Sequence, residues 1–214
     1  MTTGAAVIDG MGHSTELHAL VPVLAVTAAR TTALRGAMAG LLGSALLISD
    51  PGPGRDIREA PDAVGIVAQI RPGKGTWVCW QGDCRAYGWD PDAGTLTRYT
   101  TDHNATSYLL QYGVEPEIAE RYSSRLHLAL ADATPATVHQ TLIPAGHLVI
   151  LTSDGVHDQV DPLVLEVLVR ENQYTPQTLA EALVAAAQPD EKGYRDDATA
   201  IVLAPGRPAP AVVR

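Results

Sequence analysis

The sequence predicts an α+β domain, and three observations predict it. Between Ser14 and Ala45 apolar residues recur at helical spacing. After residue 63 the period shortens to that of strands, in short runs joined by turns bearing glycine and proline. Two further helical segments then precede a last apolar run. Strands with such short connections are expected to pair antiparallel, and helices with one apolar face to cover the outer faces of the sheets.

The elements follow in order. Gly4–Ile8 is an apolar run that stops at Asp9-Gly10, a buried strand ending in a turn. Ser14 is placed to cap a helix in which Leu17, Leu20, Val21 and Leu24 share a face, and Pro22 is expected to kink or divide it. Leu34, Met38, Leu41, Leu42 and Ala45 form a second stripe, ending before the loop composition of Asp50-Pro-Gly-Pro-Gly54. Ala63–Arg71, Thr76–Gln81, Arg85–Asp90 and Thr95–Thr100 read as four strands. A helix near Ala105–Tyr112 ends at Gly113. Thr137–Ile143 and His147–Thr152 read as a hairpin about Pro144-Ala145-Gly146. Helices near Pro162–Arg170 and Pro176–Ala187 follow, then a last strand at Ala198–Leu203.

With 214 residues and no internal repeat or linker, the chain is expected to form one domain over residues 1–204, with a proline-rich, flexible tail at 205–214. The formal charge of −9 argues against a basic nucleic-acid footprint and favours gathering carboxylates around cations. Cys79 and Cys84 are too few for a disulfide framework and read as reduced, partly buried thiols. The N-terminus has no secretory pattern, and the most apolar segment, Ala19–Ala29, is short for a membrane span and contains Pro22. The expectation is a soluble, cytoplasmic, monomeric protein that binds neither nucleic acid nor membrane.

Three aspartates sit at strand ends: Asp9 after Ala-Ala-Val-Ile, Asp154 after Leu148–Ser153, and Asp196 just before the last strand. Carboxylates at the ends of neighbouring strands can converge, and converging carboxylates repel unless a cation lies between them. Oxygen-only ligation suits Mg²⁺ or Mn²⁺. Glycine follows both Asp9 and Asp154, so the backbone can approach closely and add a carbonyl. Each site also has a plainer reading. Asp-Gly is a common turn dipeptide, Asp154 can cap a helix starting at Val156, and Asp196-Asp197 can be a solvated loop.

Five segments in order resemble the motifs of the metal-dependent protein serine/threonine phosphatases of type 2C (PPM), in their bacterial form. Val7-Ile-Asp9-Gly-Met-Gly12 resembles the motif that introduces the bridging aspartate. Gly82-Asp-Cys-Arg-Ala-Tyr87 resembles Gly-Asp-Ser-Arg-Ala-Tyr, with Cys84 in place of Ser. Leu96-Thr-Arg-Tyr-Thr-Thr-Asp-His103 is similar to the following stretch ending in Asp-His. Leu151-Thr-Ser-Asp-Gly155 resembles the Ser-Asp-Gly metal motif, and Arg195-Asp-Asp-Ala-Thr199 the closing Asp-Asn-Ala-Thr, with Asp197 in place of Asn. The resemblance runs from Val7 to Leu203.

The resemblance implies a four-layer α-β-β-α sandwich of two antiparallel sheets flanked by helices. It implies two Mg²⁺ or Mn²⁺ ions at one end, with Asp9 bridging them, the Gly10 carbonyl on one, and Asp154 and Asp196 holding the first. Asp83 lies where some members place a third ion, or is a turn residue between strands. The implied reaction is hydrolysis of phosphoserine or phosphothreonine in a phosphorylated protein substrate by a metal-activated water, with no nucleophilic Cys or Ser. Many eukaryotic-type members carry a histidine, proposed as general acid, just after the Asp-Gly; this chain has Met11 there. His13 nearby is either a proton donor or a loop histidine.

The family's upstream strand, with its phosphate-contacting Arg and an acidic pair, does not precede Asp9 here. Two expectations follow: a start recorded too late for an active enzyme, or a shortened, weakly active or inactive relative that serves as a binding or regulatory module. Arg30, Arg35 and Arg85 are the candidates to replace the Arg. His18, His103, His127, His139, His147 and His157 show no zinc spacing, Asp102 reads as a structural turn residue, and the loop Gly113–Ser124 as a setter of substrate choice.

Overall fold

The run Ala-Val-Gly-Ile-Val-Ala-Gln-Ile at residues 63–70 is apolar without alternation, so a strand made of it needs cover on both faces. The computed structural model describes residues 2–50, 52–54, 60–122, 128–189, 193 and 195–206. In it this strand, β2 (Ala63–Ile70), is buried along its whole length. It lies between β1 (Thr3–Gly10) and β3 (Thr76–Gln81), and β6 (His139–Ile143) completes a four-stranded sheet ordered β1-β2-β3-β6. A second sheet is ordered β5-β4-β7-β8, from β4 (Arg85–Asp90), β5 (Thr95–Arg98), β7 (Leu148–Thr152) and β8 (Ala200–Leu203). Every recorded strand pairing is antiparallel.

Three apolar layers hold the stack together. Val7, Ile66, Val78, Trp80, Ala86, Ile143 and Leu151 fill the space between the sheets. Leu24, Ala28 and Leu41, from α1 (Thr15–Arg35) and α2 (Ala37–Ala45), pack on the outer side of the first sheet against Ile8, Val67 and Cys79. Val156 of α5 (Asp154–His157), Leu165 and Val169 of α6 (Pro162–Asn172), and Leu179 and Leu183 of α7 (Pro176–Ala186) cover the second sheet over Trp89 and Ile150. This is the four-layer α-β-β-α sandwich. The short helices α3 (Ala105–Gln111) and α4 (Pro116–Ala119) lie on the connection to β6.

Several local expectations change. Gly82-Asp83 does not close a hairpin: β3 and β4 belong to different sheets, so the turn is a corner of the sandwich. The same holds for Pro144-Ala145-Gly146, since β6 pairs with β3 while β7 pairs with β4 and β8. The strand β7 is buried throughout, so it needs ladder partners on both edges, which a hairpin to the more exposed β6 would not supply. Pro22 does not divide α1, which runs unbroken for 21 residues. Pro22 and His18 lie on its exposed side, where water can serve the carbonyl left without a proline N–H. Leu34 stays on α1 at 80% exposure rather than joining the α2 stripe. Among the described residues α1 is long and apolar enough to cross a membrane, against the sequence expectation. Its buried face, Leu17, Leu24 and Ala28, packs on the sandwich instead. Residues 207–214 of the expected tail, His127, and residues 123 and 124 of the loop after Gly113 lie outside the described residues.

Candidate metal centre

Strand β1 delivers Asp9 to one end of the sandwich. The register pairs Asp9 with Val64 and Gly10 with Ala63, and the Met11 N–H donates to the Asp62 carbonyl at 2.9 Å, so the strand exit is held by backbone. The β3–β4 corner arrives at the same place. Gly82 has φ +100°, and a Cβ there would stand 2.2 Å from Val64 Cγ1, so only glycine lets the turn rest on Val64. His103 secures the turn from the other side. Its N–H donates to the Gly82 carbonyl at 2.9 Å, and its Nδ1 accepts the Gly82 N–H at 3.2 Å. Asp83 therefore sits beside the residue that pairs with Asp9.

The second sheet supplies the other two carboxylates. Ser153 joins the end of β7 to the entry of β8: its N–H donates to the Thr199 carbonyl, its Oγ donates to the Asp197 carbonyl, and the Thr199 N–H donates to its Oγ. A Cβ at Gly155 would lie 2.5 Å from the Asp197 carbonyl oxygen, so this glycine permits the contact. With its amide turned to accept, Gln159 receives the Asp196 N–H at 3.1 Å and donates to the Gln188 carbonyl. Asp154 opens α5 and Asp196 faces it across these bonds. The helix begins at Asp154 with Ser153 as the capping residue, so Asp154 does not cap a helix from Val156.

Asp9, Asp83, Asp154 and Asp196 line one cleft of about 180 Å³, together with Gly10, Met11, Gly12, His13 and Val64. Among the described residues lining it there is no lysine or arginine. The electrostatic consequence falls on the half-buried carboxylates Asp9 and Asp83. Burial first, then the charge of Asp154 and a hydrogen bond with it, then Asp196 and Asp83, push Asp9 up to about 8. Burial and the charge of Asp154 push Asp83 up to about 7. Burial drives the Cys84 thiol well up, with Asp9 and Asp83 adding to it, and burial alone takes Cys79 up to about 12. Both thiols are free and buried, and burial disfavours their thiolate forms.

Among the described residues no three His, Cys, Asp or Glu side chains stand in ready-made ligand geometry. The four aspartates share a cleft, and side-chain rotation is needed for them to grip one ion. His13 lines the rim and is exposed. The three arginines considered as phosphate contacts do not line the cleft. Arg30 and Arg35 lie on α1, and Arg85 is bound bidentately to Asp102, Nε at 3.1 Å and Nη2 at 2.8 Å. Asp158 went unnoticed in the sequence. It lies one helical turn beyond Asp154, and its charge adds to the upward push on Asp83. That i, i+4 acidic spacing was the available signal.

The sandwich is shared with solved bacterial phosphatases. The serine/threonine phosphatase PstP/Ppp of Mycobacterium tuberculosis superposes with a TM-score of 0.71 at 22% identity, over 94% of this chain and 87% of that one. The serine/threonine phosphatase of S. agalactiae gives 0.74 at 16%, over 95% and 88%. A structure of the PstP catalytic domain in complex with two manganese ions gives 0.66 at 20%, over 95% and 87%. A search of curated protein sequences finds no match. The sequence model of Stage II sporulation protein E (SpoIIE) matches residues 78–205, more than half of the chain, from within β3 through β8. The chain therefore belongs to the SpoIIE family, on the fold of the bacterial PPM serine/threonine phosphatases.

Proposed function

We propose that this domain hydrolyses phosphoserine or phosphothreonine in proteins, with Mg²⁺ or Mn²⁺ in the cleft between the two sheets. One observation carries the reading: aspartates from β1, the β3–β4 corner, α5 and the segment before β8 line a single cleft with no basic residue but His13 among the described lining residues. The donor set fits the ions. It offers carboxylate oxygens and the Gly10 backbone, which suit hard divalent cations and not zinc-type nitrogen and sulfur ligation. The charge pattern fits too, because carboxylates driven as far up as Asp9 and Asp83 ionise readily only beside a positive charge. The PstP catalytic domain with two manganese ions shares the fold.

In this reading Asp9, Asp154 and Asp196 hold the ions with the Gly10 carbonyl, and Asp83 takes a further one. Such ions, when bound, lower the pKa of water and neutralise the phosphoryl oxygens. The chain's own part is to hold the backbone that carries the carboxylates. Bonds at Met11, Gly82 and Ser153 fix three of the four carriers, so rotation of the side chains is what remains to bring the carboxylates onto the ions. His13, at the mouth, is either a proton donor to the departing serine or threonine oxygen or a plain loop histidine.

The test is hydrolysis of a phosphoserine or phosphothreonine peptide with and without Mn²⁺. Turnover that requires Mn²⁺ and is lost in Asp154→Asn supports the enzyme. No turnover from a folded protein that does bind Mn²⁺ leaves the domain as a binding module.

A further inference from the structure

Next to the acidic cleft lies a second charged group, built the opposite way. Asp102, at the end of the β4–β5 hairpin, is 7% exposed. It accepts both hydrogen bonds of Arg85, and the Nη2 of Arg98 donates to it as well. One carboxylate thus receives two guanidinium groups. The Arg85 Nη2 also stands 3.5 Å from Asp158 Oδ1, beyond good hydrogen-bond length, and the Asp158 side chain is 65% exposed. Asp158 lies one helical turn beyond Asp154, and its N–H donates to the Asp154 carbonyl at 2.9 Å. Arg85 itself is two residues from Asp83. It is therefore a cation held bidentately by Asp102 and, as a looser ion pair, by Asp158, whose charge is felt by Asp83 of the acidic cleft.

A planar guanidinium takes the carboxylate that offers bidentate geometry, and Asp102 offers it. With that carboxylate removed, the partners left to Arg85 are the Tyr87 hydroxyl and Asp158, and of these only Asp158 carries a full negative charge. A guanidinium paired there would compete with a divalent ion for the same negative charge. We propose that Asp102 is a positioning residue for the cleft: by holding Arg85 and Arg98 it keeps Arg85 from closing onto Asp158 and leaves the neighbouring carboxylates open to a divalent cation. This inference rests on the metal reading of the cleft. It concerns residues that do not line it, and it assigns Asp102 an electrostatic task beyond closing a turn.

The experiment is Mn²⁺ titration of the purified protein by calorimetry, with free Mn²⁺ followed by electron paramagnetic resonance, on wild type, Asp102→Asn, Arg85→Gln and the double variant. Changes outside the ligand sphere of a metal site commonly cost about 10–100-fold in affinity, and Asp102→Asn is expected to fall in that range. The double variant is expected to recover most of the loss, because the competing cation is gone. A purely structural role for the Arg85–Asp102 pair predicts the reverse, with the double variant at least as impaired as Asp102→Asn. That result, or wild-type affinity in Asp102→Asn, overturns the inference. Should Asp102→Asn fail to fold, Arg85→Gln alone decides: unchanged or tighter Mn²⁺ binding supports the inference, and weaker binding overturns it. Absence of Mn²⁺ binding by the wild type overturns the cleft reading itself, an outcome distinct from a bound ion indifferent to Asp102.

Discussion

Asp83 and Asp102 flank the β4–β5 hairpin, one on the corner before it and one on the loop after it, and their surroundings differ in kind. Asp102 is the more buried, yet two arginines answer its charge. Asp83 faces Asp154, Asp158 and Asp102, and its carboxyl is pushed up to about 7 by burial and by those charges. Asp9 is in the same position, pushed up to about 8. Two guanidinium groups meet on one carboxylate while no lysine or arginine is among the described residues lining the cleft beside it, which leaves that cleft with a charge deficit. The difference teaches that burial and residue type do not tell these two aspartates apart; a fixed counter-charge does.

The contrast can be broken most sharply by substitution. Asp154→Asn removes a carboxylate from a cleft with no lysine or arginine among its described lining residues. It is expected to lower Mn²⁺-dependent hydrolysis of a phosphoserine peptide by about a thousandfold, the loss of several kcal/mol of charge stabilisation, with the far-ultraviolet circular dichroism unchanged. Metal removal comes next. The folded-state values of Asp9 and Asp83 lie above the ordinary 3.8, so the folded metal-free protein holds protons that the unfolded chain has released. Its stability from these groups falls as pH rises from about 4 towards 8. Mn²⁺ at about 100 times its Kd adds about 2.7 kcal/mol. The gap in melting temperature between Mn²⁺-loaded and chelated protein is thus expected to widen from pH 6 to pH 8, read by thermal denaturation in matched buffers.

The arginine side bends the stability curve in the other direction. His157 is buried, its Nδ1 is 2.8 Å from Thr152 Oγ1, and burial, with Arg85 and Arg98 adding to it, takes its pKa from 6.5 down to about 2. Below pH 6.5 the unfolded chain takes a proton there and the folded chain does not. Stability is lost as pH falls, by up to about 1.4 kcal/mol per unit. Denaturant titrations between pH 6.5 and 4.5 should show this slope reduced in His157→Gln. The smallest effect is expected at His13→Ala, because an exposed rim histidine is not held by the bonds that fix the aspartates. A change in kcat below about threefold is expected. A general acid contributes about a hundredfold or more, so a drop of that size would make His13 the proton donor.

Much of this was legible in the sequence because its physics is local. The strands β3 and β4 and the helices α6 and α7 follow from period, capping and turn residues, and Ser14 caps α1 through the Leu17 N–H as its position suggests. Corners were not legible. Gly82-Asp83 and Pro144-Ala145-Gly146 have the composition of hairpin turns, and only the packing of two sheets decides that the chain changes layers there. The aspartates at strand ends could be read, since strand ends in a sandwich gather at its edges. Their counter-charges could not. Arg85, Arg98 and Asp102 meet through the β4–β5 register, which pairs Tyr87 with Arg98, and through side-chain reach, neither of which has a sequence period.

The most direct measurement is anomalous diffraction at the manganese edge from crystals of the wild-type protein soaked in Mn²⁺. Peaks between Asp9, Asp154 and Asp196, absent in Asp9→Asn crystals, are the result expected of a cleft whose carboxylates lack a fixed counter-charge. A map with no manganese among these residues, or with the ion held equally well after Asp9→Asn, would contradict it.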